Sequence, residues 1–330
     1  MLRRKTGLTI AATILAALLL VGSGAYAAET KDDYTIKASV NKDCSGTPWF
    51  AGVEKGFFEE GGVNFVDVGQ IPGPQRNAAL VAGQIDVVDA DPQGLVNMLK
   101  AGVKVKGVAQ SGDEPTDGDI NKEHMHWVVL EDSPLKTPAD ILTQKEKVKI
   151  SVISLGICAD LQNNALLREY NIPTDKIEYV VIPDAQAEQA LRQGLVDIAV
   201  LHPPFYFAAE KHGGVRILAA SKEAFGAAGG TTLLIFREEF IKEHPETVRK
   251  FTKAYKDTEK WTNENREEAG KLTANDIGLD EAAVHYYSST GEVNEEQLQY
   301  WIDAMVTDEI IKKGEYKPED LYTDEFKDTW

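Results

Sequence analysis

The chain repeats itself once, and that repeat restricts it to two similar halves. Pro72-Gly73-Pro74-Gln75, Ala79-Leu80, Gly83, Ile85-Asp86-Val87 and Asp91-Pro92 return 111 residues later as Pro183-Asp184-Ala185-Gln186, Ala190-Leu191, Gly194, Val196-Asp197-Ile198 and His202-Pro203. Upstream, Ile36-Lys37-Ala38-Ser39-Val40 returns at an offset of 112 as Val148-Lys149-Ile150-Ser151-Val152. Each copy reads as strand, loop, helix, strand, helix, strand, an α/β unit with a largely parallel sheet. Sheets of this kind bind ligands in the crevice beyond the carboxyl ends of their strands. Two such units set mouth to mouth predict a shared binding cleft.

The first residues predict export. Arg3, Arg4 and Lys5 precede an apolar run over 8–21, and Ala25-Tyr26-Ala27 supplies a small-x-small cleavage site. The run is short for a membrane span, so residues 1–27 read as a cleaved signal peptide and the rest as a periplasmic protein. Loss of the three basic residues takes the formal charge from −18 to −21. A chain that acidic is repelled by nucleic acid and by anionic membrane surfaces, which leaves small solutes and proteins as partners.

Periodicity then orders the elements. A strand over 35–40 leads through a polar loop to a helix with Thr47 as N-cap and Pro48 in its first turn. Trp49, Phe50, Val53, Phe57 and Phe58 form the predicted buried side of that helix. Strands at 63–68, 85–88 and 103–109 alternate with helices at 75–81 and 93–100, and 111–123 reads as a solvated acidic loop. The second copy gives strands at 148–153, 177–182 and 196–201 and helices at 159–170 and 186–193. Trp127 to Leu130 and Thr231 to Phe236 are the expected crossings between the halves. Beyond Glu238 the pattern is helical, with Pro245, Val248, Phe251, Tyr255 and Trp261 on one helix and Leu298, Trp301, Ile302 and Met305 on another. His124 and His126 are placed at the surface.

At this point the residues resemble a known family. Pro48-Trp49-Phe50-Ala51-Gly52-Val53-Glu54-Lys55-Gly56-Phe57-Phe58 with Gly61-Gly62-Val63, the block 73–86, Ser133-Pro134-Leu135-Lys136-Thr137-Pro138-Ala139-Asp140, Gln193-Gly194-Leu195-Val196-Asp197 and Gly213-Gly214-Val215-Arg216-Ile217-Leu218 occur in the family's order. They are similar to the ABC-importer solute-binding proteins of the nitrate, sulfonate and taurine type, which include binders of thiamine pyrimidine precursors. The resemblance implies an α/β type II periplasmic-binding-protein fold, two lobes joined by two crossing segments around a central cleft. Here that gives 34–126 with 232–330 as one lobe and 127–231 as the other. It further implies an ABC permease and ATPase as partners. No catalysis, no cofactor and no bound metal are expected, and the chain is expected to be a monomer.

Carried onto this chain, the family's solute loops are Cys44, Ser45, Gly46 and Thr47; Asp89, Asp91 and Gln93; Gly156, Ile157 and Cys158; His202 and Phe205; and Thr231 at the crossing. None of these loops carries Lys or Arg, while Asp89 and Asp91 add negative charge, so a bare multiply charged anion is disfavoured. A zwitterionic, taurine-like solute or a neutral hydrogen-bonding molecule fits better. Asp91 and His202 each precede a proline and are read either as caps or as solute contacts. Cys44 and Cys158 fall in equivalent loops and are taken as free thiols, with a disulfide or a mixed metal site as the alternatives. No P-loop, HExxH, nucleophile elbow or dinucleotide fingerprint is present. The rival functions are a pyrimidine-synthase-like enzyme on the same scaffold and a sensing module for a sensor kinase.

Overall fold

The computed structural model describes residues 34–153, 155 and 158–330, with Gly73, Pro74 and Cys158 described through their backbone alone. The expected signal peptide, Gly156, Ile157 and the side chain of Cys158 lie outside the described residues. The strands in chain order are β1 Thr35–Ala38, β2 Asn64–Asp67, β3 Val87–Ala90, β4 Val105–Gln110, β5 Gly112–Asp113, β6 His126–Leu130, β7 Val148–Val152, β8 Ile177–Val181, β9 Ala199–Leu201, β10 Val215–Ala220, β11 Leu233–Arg237 and β12 Tyr286–Tyr287.

The repeat is visible as two sheets of the same plan. The first has the order β2-β1-β3-β11-β4, with β1 parallel to β2 and β3, and β11 antiparallel to both its neighbours. In the second, β7 pairs with β8 in parallel, reaches β9 through the parallel bridge Ile150↔Ile198, and β6 lies antiparallel between β9 and β10. Each sheet therefore holds one antiparallel strand that enters directly after the chain has left the other sheet. Since β6 and β11 are sheet strands, the chain passes between the sheets in 111–125 and 221–232. Both passages lie just ahead of the runs expected to cross.

The repeated Gly and Asp have a shared structural task. Gly83 and Gly194 take φ of 68° and 69°, a left-handed conformation that closes the preceding helix and disfavours a side chain. Three residues later, Asp86 accepts the Lys37 backbone N–H at 2.9 Å and Asp197 accepts that of Lys149 at 2.8 Å. Each carboxylate thus ties the strand that precedes it in the sheet to the end of the helix. Asp86→Ala is expected to cost about 1–3 kcal/mol, because it leaves the Lys37 N–H without a partner beside a buried strand. Urea unfolding checks this, and an unchanged midpoint would contradict the assigned task.

Other expectations need correction. Gly46, not Thr47, is the N-cap of the helix Thr47–Glu54. Thr47 is buried inside that helix and its hydroxyl pairs with that of Thr273 at 2.7 Å. The helix ends at Lys55, and Phe57–Glu60 forms a separate turn of helix after the left-handed Gly56, so Val53 is 55% exposed instead of buried. The third strand begins at Val87, two residues late, which puts Asp89 and Ala90 inside the sheet. The acidic loop is only partly solvated: Ser111, Glu114 and Glu123 are buried, and β5 pairs with β12. The two-residue β12 interrupts the C-terminal helices and is too short to leave a periodic signal. His124 and His126 are buried as well, His126 stacked on Tyr206 with Nε2 2.5 Å from the Ile120 carbonyl oxygen. Trp49 is core, packed against Phe65, Phe251 and Tyr255.

Candidate functional site

A cavity of about 650 Å³ lies at the carboxyl ends of strands from both sheets. The first sheet contributes the turn after β1, the end of β3 and the first turn of the helix Pro92–Lys100. The second contributes Ile153 and Leu155 after β7 and His202 after β9. The two passages between the sheets supply His124, Gly229, Thr231 and Thr232, and the helix Glu295–Thr307 supplies Trp301.

Among the residues selected from sequence, Cys44, Ser45, Asp89, Asp91, His202 and Thr231 line this cavity. Gly46, Thr47, Gln93 and Phe205 do not. Thr47 is occupied with Thr273, Gln93 is buried in the first turn of its helix, and Phe205 belongs to an apolar cluster with Val128, Ala199 and Leu201. Gly156 and Ile157 lie outside the described residues, as does the side chain of Cys158. The aromatic wall is Trp301, which heptad-like spacing marks only as a core residue.

The turn after β1 is held by its own side chains. Asp43 accepts from the Ser45 backbone N–H at 2.9 Å and from its hydroxyl at 2.7 Å, and Asn41 donates to Ser45 Oγ at 3.0 Å. Arg76, from the helix Gly73–Val81, donates Nη1 to Asn41 and so joins the lining with its guanidinium. A basic residue is therefore present after all. It comes from a helix, whereas the sequence comparison considered only loops. Burial, reinforced by Asp43, Asp184 and Asp89, raises the Cys44 thiol well above its ordinary pKa and keeps it protonated. Among the described residues Cys44 is a free cysteine, and no group of three or more His, Cys, Asp or Glu stands ready to hold a metal.

Asp91 caps its helix, accepting the Gly94 N–H at 2.9 Å, and it also lines the cavity. His202 does not cap. Its Nδ1 lies 2.5 Å from Asp184 Oδ2, and its backbone N–H donates to the same oxygen. Burial opposes its protonation, but the Asp184 charge and hydrogen bond outweigh that, so its pKa is raised. His124 stands edge-to-face on both His202 and His285, at 4.8 Å each, and burial followed by the neighbouring His202 lowers its pKa well below the ordinary value. Along this row burial pushes His124 and His285 toward their neutral forms, while Asp184 pulls His202 toward its charged form.

Unpartnered buried polar atoms gather here. Arg76 Nε, Asp89 Oδ1, His124 Nδ1 and Gln162 Oε1 have no hydrogen-bond partner, and all four residues line the cavity. Buried polar groups in folded proteins are nearly always satisfied, so such a concentration marks a place where a further molecule completes the network. The remaining atoms are well anchored: Gln162 Nε2 donates to the Gly229 carbonyl at 2.7 Å, and Thr231 Oγ1 donates to Gln297 at 2.9 Å.

The family model described as NMT1/THI5 like matches residues 44–269. A Bacillus subtilis (strain 168) protein named for aliphatic sulfonates binding is 24% identical over 313 residues, covering 93% of this chain and 87% of that one. The crystal structure of the periplasmic aliphatic sulphonate binding protein SsuA from Escherichia coli superposes with a TM-score of 0.66 at 19% identity, over 89% of this chain and 91% of that one. The ligand binding component of an ABC-type import system from Staphylococcus aureus, solved with zinc bound, reaches 0.71 at 14% identity, over 90% and 99%. These likenesses establish the periplasmic-binding-protein fold for this chain.

Proposed function

The chain belongs to the NMT1/THI5-like family, and from that premise we propose that it is the solute-binding receptor of an ABC-type importer. It captures a small organic solute, sulfonate-like or neutral and hydrogen-bonding, in the cavity between its two sheets and hands it to a permease driven by an ATPase. The relatives named for binding and import support this reading, and a periplasmic location accords with them. Residues 34–126 with 232–330 form one lobe and 127–231 the other, the cavity lying between them. The carrying observation is that strand ends of both sheets and both passages line a single cavity, so one solute touches the whole molecule. Closure is then favoured because the closed state offers more contacts to the solute than the open one.

Catalysis has little support in this lining. Cys44 stays protonated, and Ser45 Oγ is engaged by Asp43 and Asn41 with no histidine among its partners. Such a set binds and orients a molecule without activating a nucleophile. In use the receptor is a monomer that exchanges its solute without chemical change.

Native mass spectrometry of the purified protein, followed by a thermal-shift screen, tests the reading. A solute that occupies the cavity at 100 times its Kd should stabilise the fold by about 2.7 kcal/mol. A protein that carries no small molecule and is stabilised by none of a broad set of sulfonates, amines and carboxylates would contradict it.

A further inference from the structure

We infer that Asp89 is the specificity-determining residue of the cavity and that it selects a solute carrying a positively charged nitrogen. This deepens the receptor reading and rests on it. Asp89 sits near the end of β3 in the centre of the first sheet, 8% exposed, and lines the cavity. Its two oxygens are unequal. Oδ2 accepts the Ser111 hydroxyl at 3.0 Å, whereas Oδ1 has no partner. Gln162, on the opposite side of the repeat, leaves a second acceptor, Oε1, unpaired in the same lining. Two unpaired acceptors call for a ligand that brings N–H donors, and one of them is a carboxylate, which pairs best with a charged donor.

The surrounding charge points the same way. Asp43 and Asp91 share the lining with Asp89, against Arg76 as its one arginine among the described residues. Arg76 keeps an unpaired Nε for an acceptor on the solute, so the solute needs a hydrogen-bond acceptor as well as its cationic nitrogen.

A consequence is coupling to pH. Burial raises the Asp89 carboxyl to about 7, partly offset by the nearby Thr232 and Ser111 hydroxyls and by the Arg76 charge, and Asp43 adds to the rise. Cys44, Tyr255, Glu259 and Tyr287 are packed around it, all shifted by burial toward their neutral forms, and Asp91, His124 and His202 share its cavity. Near neutral pH part of the protein therefore carries a proton on Asp89. A cationic nitrogen binds the ionised form, so the carboxyl proton leaves to solvent as the ion pair forms. Affinity then rises with pH up to somewhat above 7 and falls by roughly tenfold per unit below it.

Calorimetric titration with matched probes tests this: 2-aminoethanesulfonate against ethanesulfonate, and 4-aminobutanoate against butanoate, between pH 6 and 8.5. The amine member of whichever pair binds should be preferred by about 30-fold or more at pH 8, with release of a proton to the buffer at pH 7. Asp89→Asn should abolish that preference and flatten the pH profile. The wild-type profile alone decides the matter if the variant does not fold. Equal binding of the nitrogen-free members, or affinity that grows on acidification because a protonated Asp89 donates, overturns the inference and leaves the receptor reading standing. Silence from all four probes overturns it and counts against the receptor reading too.

Discussion

Trp301→Ala is expected to lower the free energy of unfolding by about 3–5 kcal/mol. The indole is completely buried and sits in the larger apolar cluster with Val88, Leu95, Leu298 and Met305, edge-to-face on Phe225 at 4.8 Å. Its removal opens a void that the surrounding sheet and helices fill only in part. The same substitution strands a polar group, since Trp301 Nε1 donates to the Ala228 carbonyl at 2.8 Å. Through that bond the helix Glu295–Thr307 holds the turn that leads into the second passage between the sheets. Trp301→Phe keeps most of the packing and loses the hydrogen bond, so its cost should be nearer 1–3 kcal/mol. Because the indole is also a cavity wall, Trp301→Ala should weaken solute binding as well as folding. Urea unfolding of both variants checks the ordering, and equal costs for Phe and Ala would show that the ring contributes little beyond its hydrogen bond.

The second large effect is expected where the two passages touch. A Cβ on Gly230 would stand 2.4 Å from the Asp113 carbonyl oxygen and 2.7 Å from His285 Cε1, and one on Gly112 would stand 2.3 Å from the Gly230 oxygen. No side chain fits between them, because the strands of chain are tied at close range: Ser111 N donates to the Thr232 carbonyl at 2.9 Å and Gly112 N to the Thr232 hydroxyl at 2.7 Å. Gly230→Ala must push the passages apart, at a cost of about 1–3 kcal/mol or more. The displacement also moves Gly229, Thr231 and Thr232, which line the cavity, so affinity should fall together with the melting temperature. A variant that melts as the wild type does, yet binds normally, would show that the passages tolerate separation.

Much of this was legible in the sequence because a repeat is a strong constraint. The offset copies located β1 and β7 and the neighbourhood of β3 and β9, and the Gly and Asp of each copy turned out to hold equivalent backbone positions, whereas β10 was not foreseen. What escaped notice has a common physical origin. The exchange of antiparallel strands between the sheets depends on long-range pairing, which periodicity within a short window does not contain. β12 is two residues long and took its place only by pairing with β5. His124 and His126 looked exposed because they follow an acidic loop, yet the loop folds inward and Glu114 Oε1 accepts the His124 N–H at 3.2 Å.

At the site, residues on the turns after strands were the accessible part, since the position of a strand end fixes them. Cys44, Ser45, Asp91 and His202 were of this kind, while Asp89 lies within β3 and Thr231 comes just before β11. Arg76, Gln162 and Trp301 reach the lining from helices, and only packing brings them there. Arg76 stands three and four residues before the buried Ala79 and Leu80, on the same face of its helix, and that phase was the available hint that it turns inward.

The central claim is that both halves of the molecule grip one solute. Hydrogen–deuterium exchange of the intact protein, with and without the tightest binder among the matched probes, tests it most directly. Protection is predicted in 41–45 and 89–94 of the first half, in 200–206 of the second, and in both passages. Protection confined to one half, with the other unchanged at saturating probe, would contradict it.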